Sequence, residues 1–132
     1  VAMKYSQENR IYPLSFNRKE IKDHGEGGNI IGTDPRGDVM IIDDVLSAGT
    51  AARESIHLIE SLHANAKLFV VGLDRQEKGA GTISAKAELE RDFDIVVESI
   101  VNLDALIQFS KHSEHFHAYQ TQLQEYRETW GA

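Results

Sequence analysis

The chain has 132 residues, 41% apolar and 27% charged, which fits one soluble globular domain large enough for a core of its own. Its formal net charge of -7, from 14 basic and 21 acidic residues, argues against nonspecific nucleic-acid binding and leaves room for a local basic pocket. It contains no cysteine, hence no disulfide framework, thiolate metal site or cysteine nucleophile, and neither a signal peptide nor an apolar run near the ~18 residues of a membrane span, so a cytoplasmic protein without a membrane partner is expected.

The first residues from Val1 read as the end of a helix already under way, so an upstream segment is expected. In residues 10–17, Ile11, Tyr12, Leu14 and Phe16 fit a short strand, with Pro13 marking an edge or a strand start. Residues 18–37 then read as a loop, punctuated by Gly25, Gly27, Gly28, Gly32, Pro35 and Gly37. A loop that long inside a compact domain is either functional or disordered. Arg18, Lys19, Lys22 and His24 can bring donors and positive charge to a pyrophosphate, and the glycines permit a large backbone movement. Glu20, Asp23 and Glu26 offset those charges, which makes a solvated charged loop the plain alternative.

Residues 39–43 are apolar up to the first of two adjacent carboxylates, Asp43 and Asp44, and predict a buried parallel strand. Val45 and Leu46 follow, then the small residues Ser47, Ala48 and Gly49, and a helical pattern starts near Thr50 and Ala51. Strand, loop and helix in that order put the junction at the carboxyl end of a strand, where ligands bind in open α/β sheets. The unpaired N–H groups of residues 47–51 and the helix dipole suit a phosphate, and the hydroxyls of Ser47 and Thr50 can donate to its oxygens. Asp43 and Asp44 would repel a phosphate and suit vicinal ribose hydroxyls. As an isolated pair they would read as ordinary strand-end or capping acids.

A helix over residues 50–65 turns Ala52, Ile56, Ile59 and Leu62 to the sheet and Arg53, Glu54, His57 and Glu60 to solvent. Residues 67–73 predict the next strand, which delivers Asp74 and Arg75 to the same edge. The planar guanidinium of Arg75 suits two parallel bonds to a ligand carboxylate; an ordinary ion pair with Glu77 or Asp74 is the alternative. Gly79, Gly81 and Thr82 form a turn, and a helical pattern runs through Ala85, Ala87, Leu89 and Glu90. Residues 95–97 and 100–101 suggest a strand interrupted at Glu98 and Ser99, followed by a helix through Leu103, Leu106, Ile107 and Phe109 and a polar helix over 113–130. His112, His115 and His117 read as a solvated cluster rather than a metal site. Alternating strands and helices give a single α/β domain over residues 1–132, a mainly parallel, Rossmann-like sheet flanked by helices with its site at the strand carboxyl ends.

Residues 43–51, Asp-Asp-Val-Leu-Ser-Ala-Gly-Thr-Ala, resemble the phosphoribosyl pyrophosphate (PRPP) signature of type I phosphoribosyltransferases. Residues 16–28, Phe-Asn-Arg-Lys-Glu-Ile-Lys-Asp-His-Gly-Glu-Gly-Gly, are similar to the mobile catalytic loop of orotate phosphoribosyltransferases. Leu73-Asp74-Arg75-Gln76-Glu77 is similar to the strand end that carries that family's orotate-binding arginine. Three motifs in family order extend the resemblance over essentially the whole chain.

The resemblance implies a type I phosphoribosyltransferase-like core, N-terminally incomplete, with an orotate-covering region, a first sheet strand and a lysine-containing pyrophosphate loop expected upstream. It implies a pentosyltransferase that moves ribose 5-phosphate from PRPP to N1 of orotate, giving orotidine 5′-monophosphate and pyrophosphate in de novo pyrimidine (UMP) biosynthesis. Mg²⁺ would be carried with PRPP rather than held by the protein directly. In these roles Arg18, Lys19, Lys22 and His24 meet the pyrophosphate, Asp43 and Asp44 orient the ribose, and Ser47, Ala48, Gly49, Thr50 and Ala51, with Val45 and Leu46 before them, receive PRPP. Ser47, where the family more often has Thr, and Arg75 hold orotate. Lys22, Asp44, Arg18 and His24 are the implied catalytic residues. The family further implies a homodimer whose mobile loop reaches the partner's site. A noncatalytic PRPP-binding regulator and a phosphoribosyltransferase for another base stand as alternatives; the regulator would need neither the basic loop nor Arg75. Gly25-Glu26-Gly27-Gly28 follows a charged loop rather than a strand and so is no dinucleotide-binding turn.

Overall fold

The structure is a computed structural model and describes residues 12–17 and 30–132. Strands β1 (Ser15–Asn17) and β2 (Ile30–Gly32) pair antiparallel, with Asn17 opposite Ile30 and Ser15 opposite Gly32. The long stretch expected to be loop therefore contains a strand, because Ile30 and Ile31 find a partner ladder that their neighbours in sequence do not reveal. Arg18, Lys19, Lys22 and His24 lie outside the described residues.

The main sheet has three parallel strands in the order β3 (Asp38–Leu46), β4 (Asn65–Asp74) and β5 (Val96–Asn102). Helix α1 (Thr50–Ser61) joins β3 to β4, and α2 (Ala85–Phe93) joins β4 to β5. Both helices cover one face. Ala52, Ile56 and Ile59 of α1 and Ala85 and Leu89 of α2 share a single core with Leu46, Ala66, Phe69, Val71 and Val97 of the strands. The chain continues through α3 (Leu103–His112), a short 3₁₀ turn (His117–Tyr119) and α4 (Gln120–Trp130).

The local reasons for these boundaries are visible. Helix α1 stops at Ser61, short of its expected end, because the N–H groups of Leu62, His63 and Ala64 fold back onto the carbonyls of Ile59, Glu60 and Ile59, and His63 takes a left-handed conformation. Leu62, expected to face the sheet, is consequently exposed. Strand β5 runs unbroken through Glu98 and Ser99. Alternation turns Glu98 outward and leaves Val97 fully buried, so the polar pair interrupts nothing. The terminal helix begins at Gln120 rather than near Ser113, after a turn in which the rings of Phe109, Phe116 and Tyr119 follow one another at 5.6 and 6.4 Å.

Strand β3 is parallel as expected but is not buried on both faces. Val39 and Ile41 pack against the core, while Met40 and Ile42 are exposed, as are Val96 and Ile100 of β5. Among the described residues, helices cover only the other side. A direct comparison tests this: Val97→Ala should cost about 2 kcal/mol in unfolding free energy through lost packing, and Ile100→Ala, at 84% exposure, less than about 0.5 kcal/mol. Denaturant titration of the two variants reads the difference. No helix among the described residues is long and apolar enough to cross a membrane.

Candidate active site

The two carboxylates lie within β3 rather than after it, since the β3–β4 ladder continues to Leu46 opposite Asp74. Strand alternation sends adjacent side chains to opposite faces, so the Asp43 and Asp44 carboxylates leave the strand in different directions. Asp43 is half-buried and its Oδ1 accepts the Asp44 N–H at 2.9 Å; Asp44 is exposed. Gly72 of β4 runs beside Asp44, and a side chain there would meet the Asp44 carbonyl at 2.9 Å. Glycine therefore avoids a clash with the Asp44 carbonyl where the two backbones run close.

Helix α1 starts at Thr50, as the sequence predicts, and its N-terminus differs from those of its neighbours. Gly49 is the N-cap, in a left-handed conformation (φ 86°), and no side chain caps the first turn. The first helical bond runs from Arg53 N to Gly49 O at 3.0 Å. By contrast α2 is capped by the Ser84 hydroxyl, which accepts from Ala87 N, and α3 by the Asn102 side chain, which accepts from Ala105 N. Those helices also carry Glu88 and Asp104 in their first turns, where α1 has no acid. The α1 terminus thus combines unsatisfied donors, the positive dipole end and small neighbours, which is the chemistry of an anion site. Gly49 is buried 3.4 Å (from its would-be Cβ) against the Ala85 methyl, so both its φ and its surroundings call for glycine.

Arg75 comes to the same edge through the backbone. Its N–H donates to Leu46 O at 3.0 Å, extending the β3–β4 ladder one step beyond the strands, so Ser47 and Arg75 leave the sheet as neighbours. Asp74 is buried and accepts the Gln76 N–H at 2.8 Å, and is not the partner of Arg75. The Arg75 Nη1 lies 3.4 Å from the Tyr126 hydroxyl and 3.6 Å from a Glu77 carboxylate oxygen. Tyr126 in turn donates to Glu77. Burial, and then the bond to Glu77, raises the Tyr126 phenol above its ordinary pKa, so it stays a protonated donor; the Tyr126 hydroxyl first, then Glu77, raises the Arg75 guanidinium above its own.

A second cluster ties these parts together. The Glu88 carboxylate accepts from Ala80 N at 2.8 Å, Gly81 N at 2.7 Å and the Arg53 guanidinium at 2.8 Å, while Arg53 also donates to Asp92 at 2.9 Å. Arg53, expected mostly to face solvent, instead joins α1 to α2, whose Glu88 holds the loop after β4. The Ala80 and Gly81 N–H groups chiefly, and Arg53 after them, depress the Glu88 pKa; Arg91 and Arg53 depress Asp92; and Gln76, ahead of Arg127, depresses Asp104. Carboxylates depressed in the folded state stabilise it above their unfolded pKa, and that contribution disappears as pH falls through the folded value. Glu88→Gln should therefore lower the thermal midpoint at pH 7, with the difference from wild type shrinking as pH falls below the unfolded glutamate value towards the depressed folded one. Melting curves across that range test the convergence.

No family model matches the chain. Over 119 residues, 90% of its length, it is 47% identical to the orotate phosphoribosyltransferase of Actinobacillus pleuropneumoniae serotype 5b (strain L20). Over 130 residues, 98% of its length, it is 44% identical to that of Marinobacter nauticus. The chain is a homologue of orotate phosphoribosyltransferases. It spans 56% and 61% of the length of those two curated relatives. The crystal structure of the orotate phosphoribosyltransferase of Francisella tularensis aligns with 99% of this chain and 60% of its own, with a TM-score of 0.70 and 32% identity. The parallel sheet flanked by helices is accordingly that of the type I phosphoribosyltransferase fold.

Of the residues singled out from sequence, the structure brings together Asp43, Asp44, residues 45–51 and Arg75 at one sheet edge. Glu77 is the ion-pair partner that the sequence offers for Arg75, at 3.6 Å, whereas Tyr126 and Glu88 carry no sequence signal. The partners of Tyr126 and Glu88 lie between 7 and 51 positions away, and no local pattern marks them.

Proposed function

We propose that the chain carries the PRPP and base subsites of an orotate phosphoribosyltransferase. The supporting observation is the Arg75 N–Leu46 O bond, which brings the backbone of Arg75 to the sheet edge from which the chain enters an uncapped, acid-free helix N-terminus. The 5′-phosphate of PRPP would rest on the N–H groups of residues 48–51, with Thr50 donating from its hydroxyl. Asp44, exposed beside Gly72, would take the ribose hydroxyls, and Asp43 would orient Asp44 through its backbone. Ser47 and Arg75 would hold orotate, Arg75 by two parallel bonds to the carboxylate that purine bases lack.

In the reaction the bond from the anomeric carbon to pyrophosphate breaks and a bond to N1 of orotate forms. Positive charge grows on the ribosyl ring and negative charge on the leaving group. Arg18, Lys19, Lys22 and His24 would neutralise the pyrophosphate and exclude water that would otherwise hydrolyse PRPP. Mg²⁺ favours phosphate oxygens, water and one or two carboxylates, so it would arrive with PRPP and lower the charge of the pyrophosphate. We further propose a single domain over residues 1–132, a cytoplasmic homodimer and a loop that acts across the interface.

Orotate consumption with PRPP and Mg²⁺, in competition with adenine and uracil, tests the assignment. Selective use of orotate supports it, and preference for another base overturns it. If the chain is silent alone, the same assay on the chain extended upstream of Val1 separates truncation from a noncatalytic binder: restored turnover gives the enzyme, continued silence the regulator.

A further inference from the structure

The segment that follows β4 is fixed from outside the sheet, by the C-terminal helix. Lys78 N donates to Trp130 O at 3.0 Å and Ala132 N to Gln76 O at 3.1 Å, so the end of α4 pairs with residues 76–78. Gln76 exchanges two bonds with Asp104 at the start of α3, at 3.1 and 2.8 Å, and Arg127 of α4 bonds to both. Gln76 holds a left-handed conformation (φ 54°), an uncommon state for a residue with a side chain that persists where surrounding contacts over-determine it. Arg75 sits at the head of this braced segment. Its side chain is 44% exposed, yet its Nη1 faces the Tyr126 hydroxyl and Glu77, whose side chain is only 12% exposed.

We propose that Tyr126 is a positioning residue for the base site, aligning the Arg75 guanidinium for a ligand carboxylate through its hydroxyl and through Glu77. Among the described residues, the polar side-chain contacts of Arg75 all run through Nη1. The edge formed by Nε and Nη2 is thereby left for two parallel bonds to a planar carboxylate, the geometry in which arginine surpasses lysine. A free arginine would spread over many rotamers and lose that freedom on binding. Tethering one nitrogen to a half-buried phenol–carboxylate pair removes part of that loss beforehand, which is preorganisation by a helix some 50 positions away in sequence. Tyr126 acts through Arg75 and does not itself take part in the chemistry.

The proposal rests on the reading of Arg75 as the orotate-carboxylate ligand, and three proteins separate the two: wild type, Tyr126→Phe and Arg75→Ala. Phenylalanine keeps the ring and its packing and deletes only the hydroxyl. Tyr126→Phe should weaken orotate binding about five- to tenfold with PRPP binding unchanged, the cost of one lost charge-assisted restraint. Without any ligand, the Arg75 Nε–Hε NMR resonance should shift and lose order in the variant. A Tyr126→Phe chain with wild-type orotate affinity, or with an unaltered Arg75 resonance, overturns the positioning role. If Arg75→Ala also binds orotate as the wild type does, the carboxylate reading itself falls and takes the proposal with it. A loss of orotate affinity in Arg75→Ala but not in Tyr126→Phe refutes only the part played by Tyr126.

Discussion

Lys22→Ala is expected to reduce orotate turnover by about 10²- to 10³-fold while changing PRPP affinity by less than about threefold. The asymmetry follows from where charge develops. In the proposed site, PRPP in its ground state would be held at the 5′-phosphate by the α1 terminus and at the ribose by Asp44, neither of which involves residue 22. The pyrophosphate gains negative charge only as the glycosidic bond breaks, and an ammonium brought to it then lowers the barrier without tightening the ground state. Residues 18–29 span the two strands of the β1–β2 ladder, whose last pair is Asn17 and Ile30. Backbone bonding between Thr33 N and Leu14 O, at 3.1 Å, extends that pairing beyond β2. Asn17 and Ile30, which flank the segment in sequence, are therefore side by side. Single-turnover kinetics beside equilibrium PRPP binding read the two effects separately. Equal losses in both would assign Lys22 to ground-state binding.

The junction from Asp43 to Thr50 was readable because its signals are local: an apolar run, two acids, three small residues and a helix start follow within one stretch of chain. The direction of the two acids is not local. Adjacent acids suggest a pair of acceptors, but a strand that extends to Leu46 sends them to opposite faces. The same limit affects β3 itself. A run such as Val39 to Ile42 reads as buried on both sides, whereas the helices described here cover only the face of Val39 and Ile41. An apolar pattern records what a strand can bury, and burial depends on how many layers are present. Arg53 and Arg75 show the limit most clearly. Each is legible as a cation on the correct element, and the Glu77 partner of Arg75 is local, yet Glu88 beside Arg53 and Tyr126 beside Arg75 come from 35 and 51 positions away, brought near only by the fold. Glu88 is the extreme case, a carboxylate on an otherwise ordinary helix that binds two loop N–H groups and an arginine at once.

Arg75→Ala should weaken orotate binding by about 30- to 100-fold, the loss of two charge-assisted bonds worth roughly 2–3 kcal/mol together. Uracil, which has the same ring without the carboxylate, should bind equally weakly to variant and wild type. That contrast isolates the guanidinium–carboxylate contact from any general damage at the strand end. Arg75→Lys is expected to recover only a minor part of the affinity, because an ammonium offers a point charge rather than two parallel donors. Stability should change little. Arg75 is the exposed member of its cluster, the Tyr126 hydroxyl still satisfies Glu77 after its removal, and the Leu46–Arg75 backbone bond does not depend on the side chain. Binding measured by calorimetry, with melting curves as the companion reading, decides the matter. Similar losses for orotate and uracil would mean that Arg75 shapes the strand end and does not recognise the carboxylate. A selective loss for orotate would assign base recognition to this residue, and with it the preference for a carboxylated pyrimidine over a purine.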